Sequence, residues 1–123
     1  MAHALIIEDN FLVAASIEET LRQLGYTSFA FAMTEDEAVA AAEGQCPKLI
    51  TSDVRLEPGS GIDAVQRICA NGRAIPVVYI TGSAEEVRER CATAVIVGKP
   101  FGILDLRAAI TTASAATPPS ANR

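Results

Sequence analysis

Five short apolar runs recur along the chain, and each is followed by a stretch with helical periodicity. The runs cover residues 4–7, 26–31, 48–51, 76–80 and 94–97. They are apolar almost throughout rather than alternating with polar residues, which is typical of strands buried on both faces. Five strand–helix units of this kind predict an α/β fold: a five-stranded parallel sheet, doubly wound, with helices on both faces.

The ends of the helices can also be placed from the sequence. Gly25 is expected to follow the first helix, where a glycine commonly ends the helical turn. Thr34 and Glu37 have the spacing of a capping box at the start of the second helix. The third helix is predicted over about residues 61–71, and Ser83 is a plausible cap for the fourth.

Composition narrows the class of protein. A chain of 123 residues, half of them apolar, suits a single domain with a genuine core. The net charge of -5 disfavours binding to nucleic acid or acidic membranes, because phosphate groups are bound by basic surfaces. No apolar run approaches the roughly 20 residues that span a bilayer, and the N-terminus lacks the basic region of a signal peptide. We therefore expect a cytoplasmic protein.

Cysteine and histidine offer no obvious chemistry. Cys46, Cys69 and Cys91 have neither the spacing of a zinc or redox motif nor that of a disulfide framework. We expect each to act as a small apolar residue in a reducing compartment. His3 is the single histidine and lies near the N-terminus, which we expect to be flexible, so we predict no phosphotransfer or metal role for it.

Polar residues stand at the ends of four of the five predicted strands. Glu8 and Asp9 follow the first, Asp53 the third, Thr81 the fourth and Lys99 the fifth. In a parallel sheet the carboxyl ends of the strands meet at one edge, near the point where the strand order reverses. We therefore expect three carboxylates, one hydroxyl and one ammonium to converge there.

Such a set suits phosphoryl chemistry. Three close carboxylates cannot all stay ionised without compensation, and Mg2+ supplies it while keeping room for water and phosphate oxygens. Thr81 can donate a hydrogen bond to a phosphate oxygen, and Lys99 can neutralise another. A carboxylate that attacks phosphorus forms an aspartyl-phosphate, with positioning and charge supplying most of the catalysis. Asp53, at the end of the central strand, is the expected nucleophile.

The order of these residues resembles that of the receiver domain of two-component response regulators. The likeness extends over about residues 4–115 and includes Lys99-Pro100-Phe101 after the fifth strand, as well as Gly61 eight residues beyond Asp53. The resemblance implies the flavodoxin-like receiver type of doubly wound fold. It also implies a protein that is phosphorylated on aspartate rather than a conventional enzyme, with Mg-dependent self-phosphorylation and autodephosphorylation.

The resemblance assigns roles to individual residues. Glu8, Asp9 and Asp53 would hold Mg2+ together with the backbone carbonyl of Arg55. Asp53 would accept the phosphoryl group from a phosphohistidine on a sensor histidine kinase or a histidine phosphotransfer protein. Thr81 and Lys99 would contact the phosphoryl group. The bond between Lys99 and Pro100 is commonly cis in this family.

The loop after Asp53, the residue before the lysine and the fourth strand differ from the usual receiver pattern. Proline normally lies four residues past the acceptor, but here Glu57 occupies that position and proline follows at Pro58. An aromatic residue normally lies three residues before the lysine, and here it is Ile96. The segment PVVYITGS, residues 76–83, is similar to the PFxFATG-type receivers of alphaproteobacteria, some of which act in stress-response phosphorelays.

These features lead to one expected function. Residues 1–116 are interpreted as the receiver domain and residues 117–123 as a flexible tail, and no output domain follows in the sequence. We expect a stand-alone receiver that signals by phosphorylation-dependent contact with a downstream protein. Thr81 and Lys99, gathered round the phosphoryl group, would bias the face formed by the fourth helix, fifth strand and fifth helix.

Three other functions stay open. A phosphate sink or shuttle in a phosphorelay would use the same chemistry without a functional conformational change. A phosphatase of the dehalogenase type also forms an aspartyl-phosphate, but it needs an acid two residues after the nucleophile, where Arg55 lies. A degenerate receiver that serves only as a binding module is disfavoured by the complete acidic set.

Simpler roles are also open for several residues. Asp9 alone could cap the first helix, and Arg55 could be a solvated surface residue. Tyr79 and Phe101 are expected to pack in the core or at its rim. The charged residues of the fourth helix are expected to form a solvated face with i,i+3 and i,i+4 pairs. They are Glu85, Glu86, Arg88, Glu89 and Arg90.

One glycine-rich motif is misleading. Gly59, Gly61 and Ala64 match the spacing of a dinucleotide-binding loop. The motif follows the third strand rather than the first, however, and five residues separate Asp53 from Gly59. That fingerprint requires an immediate turn from strand to helix, so we do not expect a dinucleotide site.

Overall fold

The computed structural model describes residues 2–56, 58–70 and 72–117. These residues form five strands that alternate with five helices. The strands are β1 (His3–Ile7), β2 (Ser28–Ala32), β3 (Leu49–Ser52), β4 (Val77–Thr81) and β5 (Val95–Gly98). The helices are α1 (Phe11–Gln23), α2 (Glu35–Gly44), α3 (Gly61–Ile68), α4 (Ala84–Arg90) and α5 (Ile103–Ala116).

The strands form one parallel sheet in the order β2-β1-β3-β4-β5. This confirms the predicted five-stranded doubly wound fold. The strand order reverses at β1, which lies between β2 and β3. The crevice beside the carboxyl ends of β1 and β3 is the place where such sheets bind ligands. Glu8, Asp9 and Asp53 follow these two neighbouring strands.

Two apolar clusters, one on each face of the sheet, form the core. Because successive strand residues point to opposite faces, Leu5 and Ile7 of β1 pack in one cluster and Ala4 and Ile6 in the other. The first cluster receives apolar residues of α2, α3 and α4, and the second those of α1 and α5. Strands that are apolar on both sides are therefore explained by helices that cover both sides.

The helix ends largely follow the expected signals. Gly25 has φ 104° just after α1, as expected for a glycine at this position. The Thr34 hydroxyl accepts a hydrogen bond from the Glu37 N–H at 3.1 Å. The Glu37 carboxylate, however, accepts from the Met33 N–H at 2.8 Å, one residue earlier than in a standard capping box. Ser83 precedes α4, but its side chain makes no capping bond to the described residues of that helix.

Some predicted boundaries were displaced. The third helix ends at Ile68 rather than near 71, because the chain turns at Cys69 and Gly72, whose φ is 86°. Ser52 and Thr81 lie within strands, since polar residues at strand ends still pair in the ladder: Ser52 pairs with Tyr79 and Thr81 with Gly98. The apolar runs therefore placed the ends of these strands one residue early.

The predicted flexible start at His3 is wrong. His3 is the first residue of β1, is 5% exposed, and its Nδ1 lies 2.7 Å from the Ser28 hydroxyl. All three cysteines lie among the described residues and have free thiols. Within the described ranges, no helix combines the length and apolarity needed to cross a membrane. The predicted tail beyond Thr117 and the departure at Glu57 lie outside the described residues.

Candidate functional site

Three carboxylates meet at the carboxyl edge of the sheet. β1 and β3 are paired up to Ile7 and Ser52, and the Asp53 N–H donates to the Ile7 carbonyl at 2.9 Å. One carboxylate oxygen from each of Glu8, Asp9 and Asp53 lies within 4.8 Å of the others. Residues separated by 44 positions in the sequence, from Asp9 to Asp53, thus face one small volume.

Asp9 is available to this cluster because another residue caps α1. The side-chain oxygen of Asn10 accepts hydrogen bonds from the Leu12 and Val13 N–H groups at 3.0 and 3.2 Å. The simpler interpretation of Asp9 as the cap is therefore wrong. Asn10 supplies the capping oxygen and Asp9 is directed to the acidic cluster.

Glu8 is the most buried of the three acids, with 3% of the residue exposed. Its Oε2 accepts a hydrogen bond from the Asn10 N–H at 3.1 Å, and its Oε1 accepts one from the Lys99 Nζ at 3.0 Å. Burial raises the pKa of Glu8, and the negative charge of Asp53 acts in the same direction. The hydrogen bonds from Lys99 and Asn10 offset only part of this effect. The cost of burying the Glu8 carboxylate is therefore only partly compensated by its neighbours.

Lys99 links two of the carboxylates. It follows β5, and its Nζ donates to Glu8 Oε1 and to Asp53 Oδ2, both at 3.0 Å. Burial lowers the pKa of Lys99, but the hydrogen bonds to Asp53 and Glu8 outweigh it and the net pKa is raised. The ammonium therefore stays charged at neutral pH. The peptide bond between Lys99 and Pro100 is cis, as the resemblance implied.

Asp53 is held in a defined orientation, with 13% of its side chain exposed. Its Oδ1 accepts from the Val54 N–H at 2.7 Å and lies 3.5 Å from the Arg55 N–H, while Oδ2 faces Lys99. Backbone amides that point at one carboxylate oxygen stabilise its negative charge without closing access to the other side of the group.

Thr81 is the last residue of β4 and lies next to Lys99, which follows β5. The threonine is 2% exposed, and its hydroxyl oxygen accepts a hydrogen bond from the Ser83 N–H at 3.0 Å. The Lys99 N–H donates to the Thr81 carbonyl at 3.2 Å, which continues the pairing of β4 with β5 beyond the strand ends. Because the hydroxyl oxygen is used as an acceptor, the hydroxyl hydrogen can be donated to another group.

Arg55 lies on the loop between β3 and α3, where it forms an isolated bridge with Ser60. Its side chain is not simply solvated: Nε lies 3.2 Å from Oε1 of Glu86 on α4. Arg90 of α4 likewise pairs with Asp63 of α3 at 2.7 Å. The pairs predicted within α4 are thus replaced, among the described residues, by pairs to other elements.

Gly61 was noted in the sequence, but the sequence did not show that the site requires glycine at this position. A Cβ at this position would overlap the Asp53 carbonyl oxygen and the Ser52 hydroxyl. Gly59 has φ 102°, and the Ser60 hydroxyl caps α3 by accepting from the Ile62 N–H at 3.1 Å. The glycine-rich motif therefore lets α3 begin directly against the backbone of Asp53.

Tyr79 and Phe101 pack as expected. Tyr79 is 5% exposed and lies in the cluster with α2, α3 and α4. Phe101 is half-buried against the cluster with α1 and α5. Ile96 is also half-buried, against the same cluster as Tyr79.

The chain matches known sequences over most of its length. The family model described as the response regulator receiver domain matches residues 4–111. The phyllosphere-induced regulator PhyR of Methylorubrum extorquens is 37% identical over 113 residues, which are 89% of this chain and 42% of that protein. A solved PhyR is described as a stress response regulator. The chain spans about half the length of the curated relatives it matches.

Solved receiver structures are also similar. The receiver domain of Erythrobacter litoralis PhyR is 33% identical, with a TM-score of 0.86, and the match covers 98% of this chain and 95% of that one. The receiver domain of the sensor histidine kinase PA1611 from Pseudomonas aeruginosa is 30% identical, with a TM-score of 0.79 over 94% and 98% of the two chains. That structure has a magnesium ion coordinated in its active-site cleft. The chain belongs to the response regulator receiver family of two-component signalling.

Proposed function

We propose that this protein is a cytoplasmic receiver that accepts a phosphoryl group on Asp53 from a phosphohistidine. The donor would be a sensor histidine kinase or a histidine phosphotransfer protein. One observation supports this most strongly: Asp53 lies within 4.8 Å of two further carboxylates, while Lys99 donates to it at 3.0 Å. An acidic group prepared in this way fits a nucleophile that works beside a cation.

The donor set fits Mg2+. It consists of carboxylate oxygens from Glu8, Asp9 and Asp53, to which the backbone carbonyl of Arg55 would be added. Hard oxygen ligands of this kind suit Mg2+, and the pKa of Glu8, raised by burial and then by the charge of Asp53, belongs to a carboxylate that a nearby cation would stabilise. When bound, the ion supplies charge neutralisation at the phosphoryl oxygens and orients them.

The transfer can be written with this chain's own groups. A carboxylate oxygen of Asp53 attacks phosphorus and a new O–P bond forms. The donor imidazole carries a proton on its other ring nitrogen. The N–P bond breaks and its electron pair returns to the ring nitrogen, so histidine leaves in its neutral form. Lys99 then neutralises a phosphoryl oxygen and Thr81 donates a hydrogen bond to another. Hydrolysis of the acyl phosphate by water restores Asp53.

We propose residues 1–116 as the receiver domain and a downstream protein as the recipient of the signal. The face formed by α4, β5 and α5 would change on phosphorylation and bind that protein. The likeness to PhyR supports a role in a stress response. An arginine at position 55 leaves the phosphatase interpretation without the acid that its mechanism needs.

Treatment with acetyl phosphate and Mg2+ tests the proposal. We expect intact mass spectrometry to show one added phosphoryl group on the wild-type protein, located by peptide analysis to Asp53. Asp53→Asn should gain none, and omission of Mg2+ should reduce the gain strongly. Asp36→Asn is the matched control, because this side chain is 90% exposed on α2 and should leave the gain unchanged.

Two outcomes would contradict the proposal: equal modification of Asp53→Asn, or modification of another residue in the wild type. A sink is distinguished from a signalling receiver by amide shifts. A signalling receiver should show changes in α4 and β5 on phosphorylation, whereas a sink requires none.

A further inference from the structure

α4 is the most weakly anchored helix around the site. It has seven residues, all of them described, and Val87 is the only one that is buried. Ser83 makes no side-chain capping bond to it. Among the described residues, two ion pairs join α4 to neighbouring elements: Glu86 to Arg55 at 3.2 Å and Arg90 to Asp63 at 2.7 Å. Charge therefore contributes a large share of the contacts that hold α4, since burial anchors only one of its residues.

Arg55 lies within reach of two negative groups. It follows Asp53 by two residues, and its own N–H lies 3.5 Å from Asp53 Oδ1. The bridge to Ser60 fixes its backbone, while 76% of its side chain is exposed and can reorient. The guanidinium is thus tethered beside the site but pairs, in this state, with Glu86.

The choice of partner follows from charge. In this state Lys99 pairs with the carboxylate of Asp53, and the guanidinium of Arg55 pairs with Glu86. A phosphoryl group on Asp53 would bring close to two negative charges and three acceptor oxygens, which leaves acceptor positions for a guanidinium beside Lys99, Thr81 and Mg2+. The exposed pair with Glu86 is of a weak kind and can be displaced.

We propose that Arg55 is an additional phosphoryl-binding residue of this receiver, and that Glu86 holds it until Asp53 is phosphorylated. The inference rests on the proposed function of Asp53. On phosphorylation the guanidinium exchanges Glu86 for a phosphoryl oxygen. α4 then loses one of the two described ion pairs that join it to neighbouring elements, the one in its first turn. This exchange connects Asp53 to α4 in a chain that has Ile96 where the family usually has an aromatic residue.

Titration with beryllofluoride in the presence of Mg2+ tests the exchange, since this anion mimics a phosphoryl group on aspartate. Amide spectra give the half-saturating concentration for the wild type, Glu86→Gln, Arg55→Ala and the double variant. Glu86→Gln should lower that concentration about two- to fivefold, because Arg55 no longer has a competing partner. Arg55→Ala should raise it about tenfold, because a charge-assisted bond is lost.

The double variant gives the decisive comparison. With Arg55 absent, Glu86→Gln should have no further effect, so the double variant should equal Arg55→Ala. The Arg55 Nε–H signal should also shift in the wild type when beryllofluoride binds. Asp63→Asn is the matched control: it breaks the other tie of α4 without touching Arg55, and should leave the half-saturating concentration within about twofold.

An equal effect of Glu86→Gln with and without Arg55 would overturn the inference, as would an Arg55→Ala variant that binds beryllofluoride as the wild type does. In both cases wild-type uptake would leave the proposed function of Asp53 intact. A wild-type protein that takes up no beryllofluoride would instead contradict the proposed function, and this inference with it.

Discussion

α3 and α4 pack on the same face of the sheet, yet they are held in different ways. Five of the eight residues of α3 are buried, and the Ser60 hydroxyl caps its first turn. In α4, where every residue is described, only Val87 is buried, and ion pairs to Arg55 and Asp63 provide further contacts. Both helices contribute to the same apolar cluster, but to very different extents.

The difference separates a fixed part of the site from an adjustable one. α3 begins at Gly61, against the backbone of Asp53, so burial of α3 holds Asp53 in place. The proposed phosphorylation of Asp53 would change the charge of the site, whereas we expect it to leave the buried apolar area of α3 unchanged. α3 also has ion pairs, from Arg67 to Glu35 and Asp36 and from Asp63 to Arg90, but its buried residues hold it as well. We therefore expect α4 to respond to the new charge more than α3 does.

The largest expected change in the free energy of unfolding comes from a substitution where α3 begins. Gly61→Ala should lower the free energy of unfolding by about 3 kcal/mol, because the new Cβ would overlap the Asp53 carbonyl and the Ser52 hydroxyl. Urea denaturation measures it. Gly82→Ala, in the loop that precedes α4, is the control. A Cβ added there would meet no described atom of a more distant residue within 4 Å. The free energy of unfolding should therefore change by no more than about 0.5 kcal/mol. Equal losses would remove the distinction between the two sides.

Binding of Mg2+ to the acidic cluster should raise the free energy of unfolding. At a concentration one hundred times its Kd, an ion that binds only the folded protein adds about 2.7 kcal/mol to the free energy of unfolding. We expect urea denaturation to show this gain in the wild type and to lose most of it in Asp9→Asn. Asp36→Asn should keep the full gain. Full stabilisation of Asp9→Asn would contradict the assigned ligand set.

A smaller effect is expected from Glu8 and pH. Its folded-state pKa is raised above the ordinary 4.5, so the folded protein holds this proton more tightly than the unfolded chain does. The contribution to stability is therefore complete below about pH 4.5 and is lost as pH rises through the folded-state pKa.

Glu8→Gln should remove that loss. Without Mg2+ at pH 7, the variant should be more stable than the wild type, and the two should converge near pH 4. Urea midpoints across this pH range provide the measurement. A wild type that gains stability over the variant as pH rises would show that Lys99 outweighs burial at Glu8.

The sequence predicted the sheet and the acidic cluster because both depend on simple rules. Apolar runs locate the strands, and parallel strands bring their carboxyl ends to one edge. Glu8, Asp9 and Asp53 therefore met where topology required. The confirmed fold also explains why Lys99, at the end of the fifth strand, reaches carboxylates that follow the first and third.

Contacts between side chains of distant elements could not be predicted in this way. The pair between Arg55 and Glu86 joins residues 31 positions apart, and nothing in the local pattern of α4 indicates it. The requirement for glycine at position 61 depends on how closely α3 approaches the backbone of Asp53. Burial of His3 depends on the pairing of β1 with β2, and its position near the N-terminus of the sequence does not indicate that pairing.

Amide hydrogen exchange of the Mg2+-bound protein, with and without beryllofluoride, tests the central claim most directly. We expect exchange in α4 to change when the anion binds, whereas exchange in α3 should stay as it was. Unchanged exchange in both helices, or an equal change in both, would contradict the division of the site into a fixed acceptor and a charge-held helix that responds to it.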